Sequence, residues 1–115
     1  MNLDFNIDSI RTVCSLNREG VSLLGISKAA ETIGFKTVGG RLSFDTLAFE
    51  VPLPCIVHWN QNHFVVLYKI ESKQKKYYIC NPSKGLSIVN DDEFTVSWLS
   101  KSGVGIALLL ELVHF

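Results

Sequence analysis

Apolar positions in the first third of the chain recur at helical spacing, and in the remainder they alternate or run together. Ile10, Val13 and Cys14 fall three and four apart, which places them on one side of a helix with Asp8 as its cap. Asn17-Arg18-Glu19-Gly20 breaks this pattern as a turn by composition. A second helix is predicted over 22–33, where Ile26, Ala29, Ala30 and Ile33 make one apolar stripe. Gly34 ends it, because glycine enters the left-handed conformation without a Cβ clash. Residues 35–43 read as extended and 44–49 as a short helix.

From residue 54 the period changes to that of strands. Residues 54–59 form a short apolar strand, Asn60-Gln61-Asn62 a tight turn, and 63–71 a long β-branched and aromatic strand. Ser72-Lys73-Gln74-Lys75 turns into a strand over 76–80, and Asn81-Pro82-Ser83-Lys84-Gly85 turns again into 86–89. Residues 91–99 read as a helical turn opened by Asp91, Asp92 and Glu93. Residues 104–113 are almost wholly apolar, the pattern of a strand covered on both faces. Helices followed by antiparallel strands on short connections imply an α+β domain. Strict alternation puts Phe64, Val66, Tyr68 and Ile70 on one side of the central strand and His63, Val65 and Leu67 on the other. Both faces then need a cover, which the two leading helices supply for one face and part of the second.

Composition narrows the function classes. The 115 residues are 47 % hydrophobic and 19 % charged, a globular balance, and suffice for one domain. Eleven Lys plus Arg against eleven Asp plus Glu give a formal net charge of zero, which argues against nucleic acid as a partner. No apolar run approaches the ~18 residues of a membrane helix, and the acidic start lacks a signal peptide's basic region. A cytoplasmic setting is expected. Three cysteines without a C-x-x-C pair suit free thiols in a reducing compartment. The three His and three Cys never form two close ligand pairs, so neither a metal nor any other cofactor is expected.

The densest polar grouping within apolar surroundings is His58-Trp59-Asn60-Gln61-Asn62-His63, with Asn81-Pro82 about one strand later. A His opening a strand and an Asn ending its hairpin neighbour form the base-and-orienter half of a cysteine nucleophile site. One imidazole nitrogen must take a thiol proton while the other is held in place. Register decides whether the two can meet. With an even loop and Glu71 opposite Lys76, Asn81 faces Val66 and His63 points to the opposite face. An odd loop, or a one-residue bulge, puts Asn81 on the His63 face. The plainer reading, a histidine at a strand edge and an asparagine opening a turn, stays open beside it.

Two stretches, Ser15-Leu16-Asn17-Arg18-Glu19-Gly20-Val21-Ser22-Leu23-Leu24-Gly25-Ile26 and Leu53-Pro54-Cys55-Ile56-Val57-His58-Trp59-Asn60-Gln61-Asn62-His63-Phe64-Val65-Val66-Leu67, carry a family resemblance. So do Asn81-Pro82-Ser83-Lys84-Gly85 and Gly105-Ile106-Ala107-Leu108-Leu109-Leu110-Glu111. The sequence resembles the peptidase domains of bacteriocin-processing ABC transporters, papain-like cysteine peptidases that cut leader peptides after a double glycine. The resemblance implies a papain-like fold, His63 as general base and Asn81 as the residue that orients it.

Two departures qualify it. The family's nucleophile sits in an Asp-Cys-Gly type motif at the start of an N-terminal helix, after a Gln that lines the oxyanion hole. No such motif occurs in these 115 residues, so the chain is expected to begin downstream of that helix. The orienting position, usually Asp-Pro, is Asn81-Pro82, a mild change because an amide oxygen can hold the imidazole. None of the thiols has the helix-start setting that lowers a thiol pKa. Cys14 lies toward a helix end, Cys55 in a packed strand, and Cys80 points away from Asn81's face. Trp59 and Trp98 read as core or rim aromatics. Lys73, Lys75 and Lys76 make a solvated hairpin tip, and Gly39-Gly40 lies within a strand rather than at a cleavage site.

The whole chain, 1–115, is therefore expected to be a single leader-peptidase-like domain, α+β and papain-like, truncated at its N-terminus. As a degenerate peptidase it would hold a double-glycine leader peptide, or dock on an ABC transporter or its membrane domain at the inner face of the cell membrane, without cutting. Such a leader is expected to bind as an amphipathic helix. The rival reading is a working cysteine peptidase whose nucleophile helix comes from upstream sequence or a partner chain; a third is a remnant or fragment. A missing helix would uncover an apolar face, so homo-oligomers are expected, with residues 1–7 or a neighbouring copy filling the gap.

Overall fold

The computed structural model describes residues 7–19, 22–60 and 63–112. Expectations that fall on residues 1–6, 20–21, 61–62 and 113–115 lie outside them.

Helix α1 (Ile7–Glu19) buries Ile10, Val13 and Cys14. It begins two residues earlier than a cap at Asp8 implies, so Asp8 sits in the first turn, and it runs on through Asn17, Arg18 and Glu19, which composition gives to a turn. Helix α2 (Leu23–Thr32) is capped by Ser22, whose hydroxyl accepts from the Gly25 N–H at 3.1 Å. Its stripe is narrower than expected: Ile26 and Ala30 are buried, while Ile33 is 47 % exposed at the C-cap. Gly34 follows with φ 99°, as a helix stop requires.

The strands β1 (Phe35–Ser43), β2 (Cys55–Trp59), β3 (His63–Glu71), β4 (Lys76–Asn81), β5 (Gly85–Asn90) and β6 (Val104–Leu112) form one antiparallel sheet in the order β1-β6-β2-β3-β4-β5. Two short helices, α3 (Phe44–Glu50) and α4 (Asp91–Trp98), interrupt them. The last strand thus lies between the first two. That central place explains the unbroken apolar run of β6, whose Ala107 joins one core cluster while Leu108 and Leu110 join the other.

Each face of the sheet has its own core. On one, α1 lies over β3 and β4 and α2 over β1 and β6, enclosing Ile56, Val66, Cys80 and Leu108. On the other, α3 and α4 enclose Cys55, Val57, Val65, Leu67, Ile79 and Ala107. The expectation that the two leading helices cover one face and part of the second is corrected: they lie on one face only. Leu47 of α3 and Phe94 and Trp98 of α4 cover the second face, with Phe94 packed among Trp59, Tyr77 and Trp98.

The alternation of β3 is also corrected. Ile70 packs with Val65 and Leu67, not with Phe64 and Tyr68. The pairing shifts between Leu67, opposite Ile79, and Lys69, opposite Tyr78, leaving Tyr68 as the extra residue of a β-bulge.

Candidate functional site

His63 is the first residue of β3, paired with Trp59 at the open end of the β2–β3 hairpin. Trp59 is buried against Phe94, which anchors the strand end carrying His63. The His63 side chain is exposed, and among the described residues it has no hydrogen-bond partner. Asn81 is the last residue of β4, half-buried, and opposite Gly85 where the chain turns into β5.

The bulge sets the relation between the two. Glu71 stands opposite Lys76 across an even loop, the register that by itself separates the two side chains. The extra residue at Tyr68 then moves the pairing by one, so that the ladder ends with Val66 opposite Cys80; the same register continued one step sets Asn81 toward Val65. Val65 and His63 are two apart on β3 and point the same way. The bulge therefore puts Asn81 and His63 on the same face, at one end of two adjacent strands.

Their side chains are not joined. Asn81 Oδ1 accepts from the Ser83 backbone N–H at 3.0 Å and from the Ser83 hydroxyl at 2.8 Å, forming an Asx turn. Among the described residues no hydrogen bond links Asn81 to His63. Ser83 is the participant that sequence reasoning missed, although the Asn-Pro-Ser order of the turn carries its signal. Beside Asn81 a cavity of about 340 Å³ opens between α1 and the β4–β5 turn, lined by Arg11, Cys14, Ser15 and Cys80 among others.

All three thiols are packed away. Cys14 is 3 %, Cys55 0 % and Cys80 4 % exposed, which leaves none open to attack a peptide bond. Burial pushes the Cys55 thiol up to about 12, so it stays protonated at neutral pH. Cys80 joins the α1–α2 core while its neighbour Asn81 points the other way. Among the described residues, no group of three His, Cys, Asp or Glu is placed to hold a metal ion, and no helix is long and apolar enough to cross a membrane.

Residues 2–109 match the model of the peptidase C39 family. The chain is 35 % identical over 105 residues to the probable microcin-H47 secretion/processing ATP-binding protein MchF of Escherichia coli, covering 90 % of this chain. It is 34 % identical over 105 residues, again 90 % of the chain, to the colicin V secretion/processing ATP-binding protein CvaB of the same organism. These matches span 14 % of the length of each of those two proteins. Among solved structures, a double glycine motif protease from an AMS/PCAT transporter, in complex with the leader peptide, superposes with a TM-score of 0.71 at 34 % identity. That match covers 95 % of this chain and 73 % of the other.

Proposed function

The chain belongs to the peptidase C39 family, and we propose that these 115 residues act as a peptide-holding module that binds a double-glycine leader peptide, or docks on an ABC exporter, without cutting. His63 and Asn81 keep the positions of base and orienter in this reading. The observation that carries it is the burial of all three thiols: a cysteine peptidase needs an accessible thiolate beside its imidazole, and Cys14, Cys55 and Cys80 are each at most 4 % exposed. The similar protease was solved with a leader peptide, which makes that class of peptide the first ligand to try.

Its docking surface in this proposal is the strip of β5 beside α1, where Leu86 is 38 % and Ile88 55 % exposed. The two lie across from Cys80 and Tyr78, and Leu86 lines the cavity at Asn81. A helical leader would lay its apolar anchors there; in the absence of a leader, the same strip would favour pairing between copies. The working place of the module is then the cytoplasmic side of the membrane, beside the exporter.

A second reading is favoured by the Tyr68 bulge. It brings Asn81 to the face of His63, which a base and its orienter require, and a nucleophile helix from a further segment or partner chain would then complete a cysteine peptidase.

Cleavage and binding of a fluorophore-labelled double-glycine leader peptide, measured on one sample, tests these readings. Binding without cleavage, weakened by Leu86→Ser and Ile88→Ser, supports the holding module. Cleavage that appears only when a cysteine-bearing C39 helix is added in trans, and vanishes in His63→Ala, supports the second reading. Cleavage by the chain alone, abolished by Cys14→Ala and by His63→Ala, overturns the first. Neither binding nor cleavage favours a remnant.

A further inference from the structure

The sheet ends in two edges, β1 and β5, and they are protected differently. β1 carries Lys36 and Arg41, and charged side chains are one means by which an edge strand resists pairing with another chain. β5 reads Gly-Leu-Ser-Ile-Val-Asn, with no charge and no proline. Among the described residues, its backbone makes no hydrogen bond on the side away from β4. A row of N–H and C=O groups is therefore open to a further strand. Every side chain of β5 except Val89 is exposed.

The order of residues along this edge fits a second copy of itself. Pairing with β4 sets Leu86 opposite Cys80 and Ile88 opposite Tyr78, so both point to the α1 side of the sheet. Ser87, opposite Ile79, points to the α4 side. When a second β5 lies antiparallel about a two-fold axis at Ser87, Leu86 of each copy meets Ile88 of the other, and the two Ser87 residues meet each other. An axis at Leu86 or at Ile88 would instead set an apolar residue against Lys84 or Asn90. The charges at the strand ends agree with the axis at Ser87. Lys84 precedes β5, and the acidic first turn of α4, Asp91 to Glu93, follows it. Antiparallel pairing brings Lys84 of each copy beside that turn of the other. Lys84, Asp92 and Glu93 are exposed, and none forms an ion pair with a described residue. The formal net charge of zero adds no general repulsion between copies.

We infer that two copies of the chain pair antiparallel through β5 about a two-fold axis at Ser87, joining two six-stranded sheets into one. This deepens the holding-module reading and rests on it for the Leu86–Ile88 strip as a binding surface: leader and second copy compete for one place. A seam of six residues per copy is small, so the dimer is weak and fills with concentration.

Sedimentation velocity of the full chain, over a concentration series from about 5 to 500 μM, tests the pairing. The expected result is a mass that climbs from monomer to dimer and stops there. Ser87→Lys sets two ammonium groups opposite each other at the axis and is expected to weaken the dimer about tenfold. Ser87 is exposed, so this variant leaves the fold intact. Lys84→Glu is expected to weaken the dimer about fivefold, and adding Asp92→Lys to the same chain to restore it. A parent that stays monomeric at the highest concentration, association that runs past the dimer, a Ser87→Lys dimer as strong as the parent's, or a charge swap that fails to restore Lys84→Glu overturns the proposal. Leader binding is read separately, on Ser87→Lys with the fluorophore-labelled peptide. Binding there beside a monomeric parent sinks the pairing alone, whereas a parent dimer without leader binding supports the pairing and sinks the holding module alone.

Discussion

Val66 stands directly opposite Cys80, one residue out of step with the pairing of Glu71 and Lys76 at the mouth of the same hairpin. The offset is taken up at Tyr68, which has no partner on β4. Its effect is on faces rather than positions: the β3 residues before the bulge are inverted relative to those after it. Ile70 therefore packs beside Leu67, and Asn81 comes round to the side of His63. Deleting Tyr68 is expected to remove the bulge and keep its partners, because Leu67 then adjoins Lys69 as Ile79 adjoins Tyr78, so Asn81 stays on the side of His63. Cross-strand contacts between the Cα protons of Val66 and Cys80 and of Glu71 and Lys76, both retained in the variant, would be the spectroscopic sign; loss of the first would mean that the register slips instead.

Asn81 and His63 differ in what they contribute to stability. His63 is exposed and holds no described partner, so His63→Ala is expected to shift unfolding by no more than about 0.5 kcal/mol. Asn81→Ala removes both bonds to Ser83 and is expected to cost about 1 kcal/mol. Urea unfolding of the two variants side by side checks this; equal losses would mean that His63 is tied into the fold.

Gly105 and Gly40 make a matched pair. A Cβ at Gly105 would run into the Trp98 indole, whereas one at Gly40 meets nothing within 4 Å. Gly105→Ala is expected to push the indole off β6, break its bond to the Ile106 carbonyl and destabilise by about 2–4 kcal/mol. Gly40→Ala should stay within about 0.5 kcal/mol of the parent. Indole fluorescence and thermal unfolding report both.

Phe94 is fully buried, stacked on Tyr77 at 4.5 Å and set against Trp59 at 5.4 Å and Trp98 at 5.8 Å. Phe94→Ala is expected to cost about 3–5 kcal/mol, since it removes a large side chain from the centre of one core. A chemical-denaturation midpoint close to the parent's would show that the aromatic cluster collapses to fill the gap.

Alkaline pH is expected to weaken the fold. Burial raises the Cys55 thiol from an ordinary 9.0 to about 12. Burial, followed by the hydrogen bond to Asp91, raises the Tyr77 phenol above its ordinary 10.0 as well. Above pH 9 the unfolded chain sheds a proton that the folded chain keeps, so stability that is complete below pH 9 declines as pH rises toward 12. Cys55→Ala should flatten this decline. Unfolding midpoints measured between about pH 8 and 11 decide it, and identical slopes for parent and variant would count against burial of the thiol.

The local features were legible because they depend on neighbours in sequence. The start of α2 near Ser22, the Gly34 stop and the turn at 72–75 each come from the chemistry of a few adjacent residues. The cover of the second sheet face was not. Helices α3 and α4 are too short to show a stripe, and their effect rests on single large anchors, Leu47 in one and Phe94 with Trp98 in the other. At the candidate site, the sequence offered His63 and Asn81 as candidates and showed that a bulge or odd loop is needed to bring them to one face. It did not place the bulge, since Tyr68 resembles its neighbours in a β-rich run and only the packing of Ile70 marks the change of side. Nor did it show that Ser83 takes both bonds to the Asn81 oxygen.

The position of β6 between β1 and β2 orders events during synthesis. Strands β2 to β5 are joined in sequence and can assemble as they leave the ribosome. β1 emerges earlier than any of them and waits without a neighbour, because both its register and its place in the sheet come from β6. Until residues 104–112 arrive, β1 and the free side of β2 are unpaired edges, open to the wrong partner. Ribosome-bound chains ending before residue 104 should accordingly need chaperone protection that the finished domain does not.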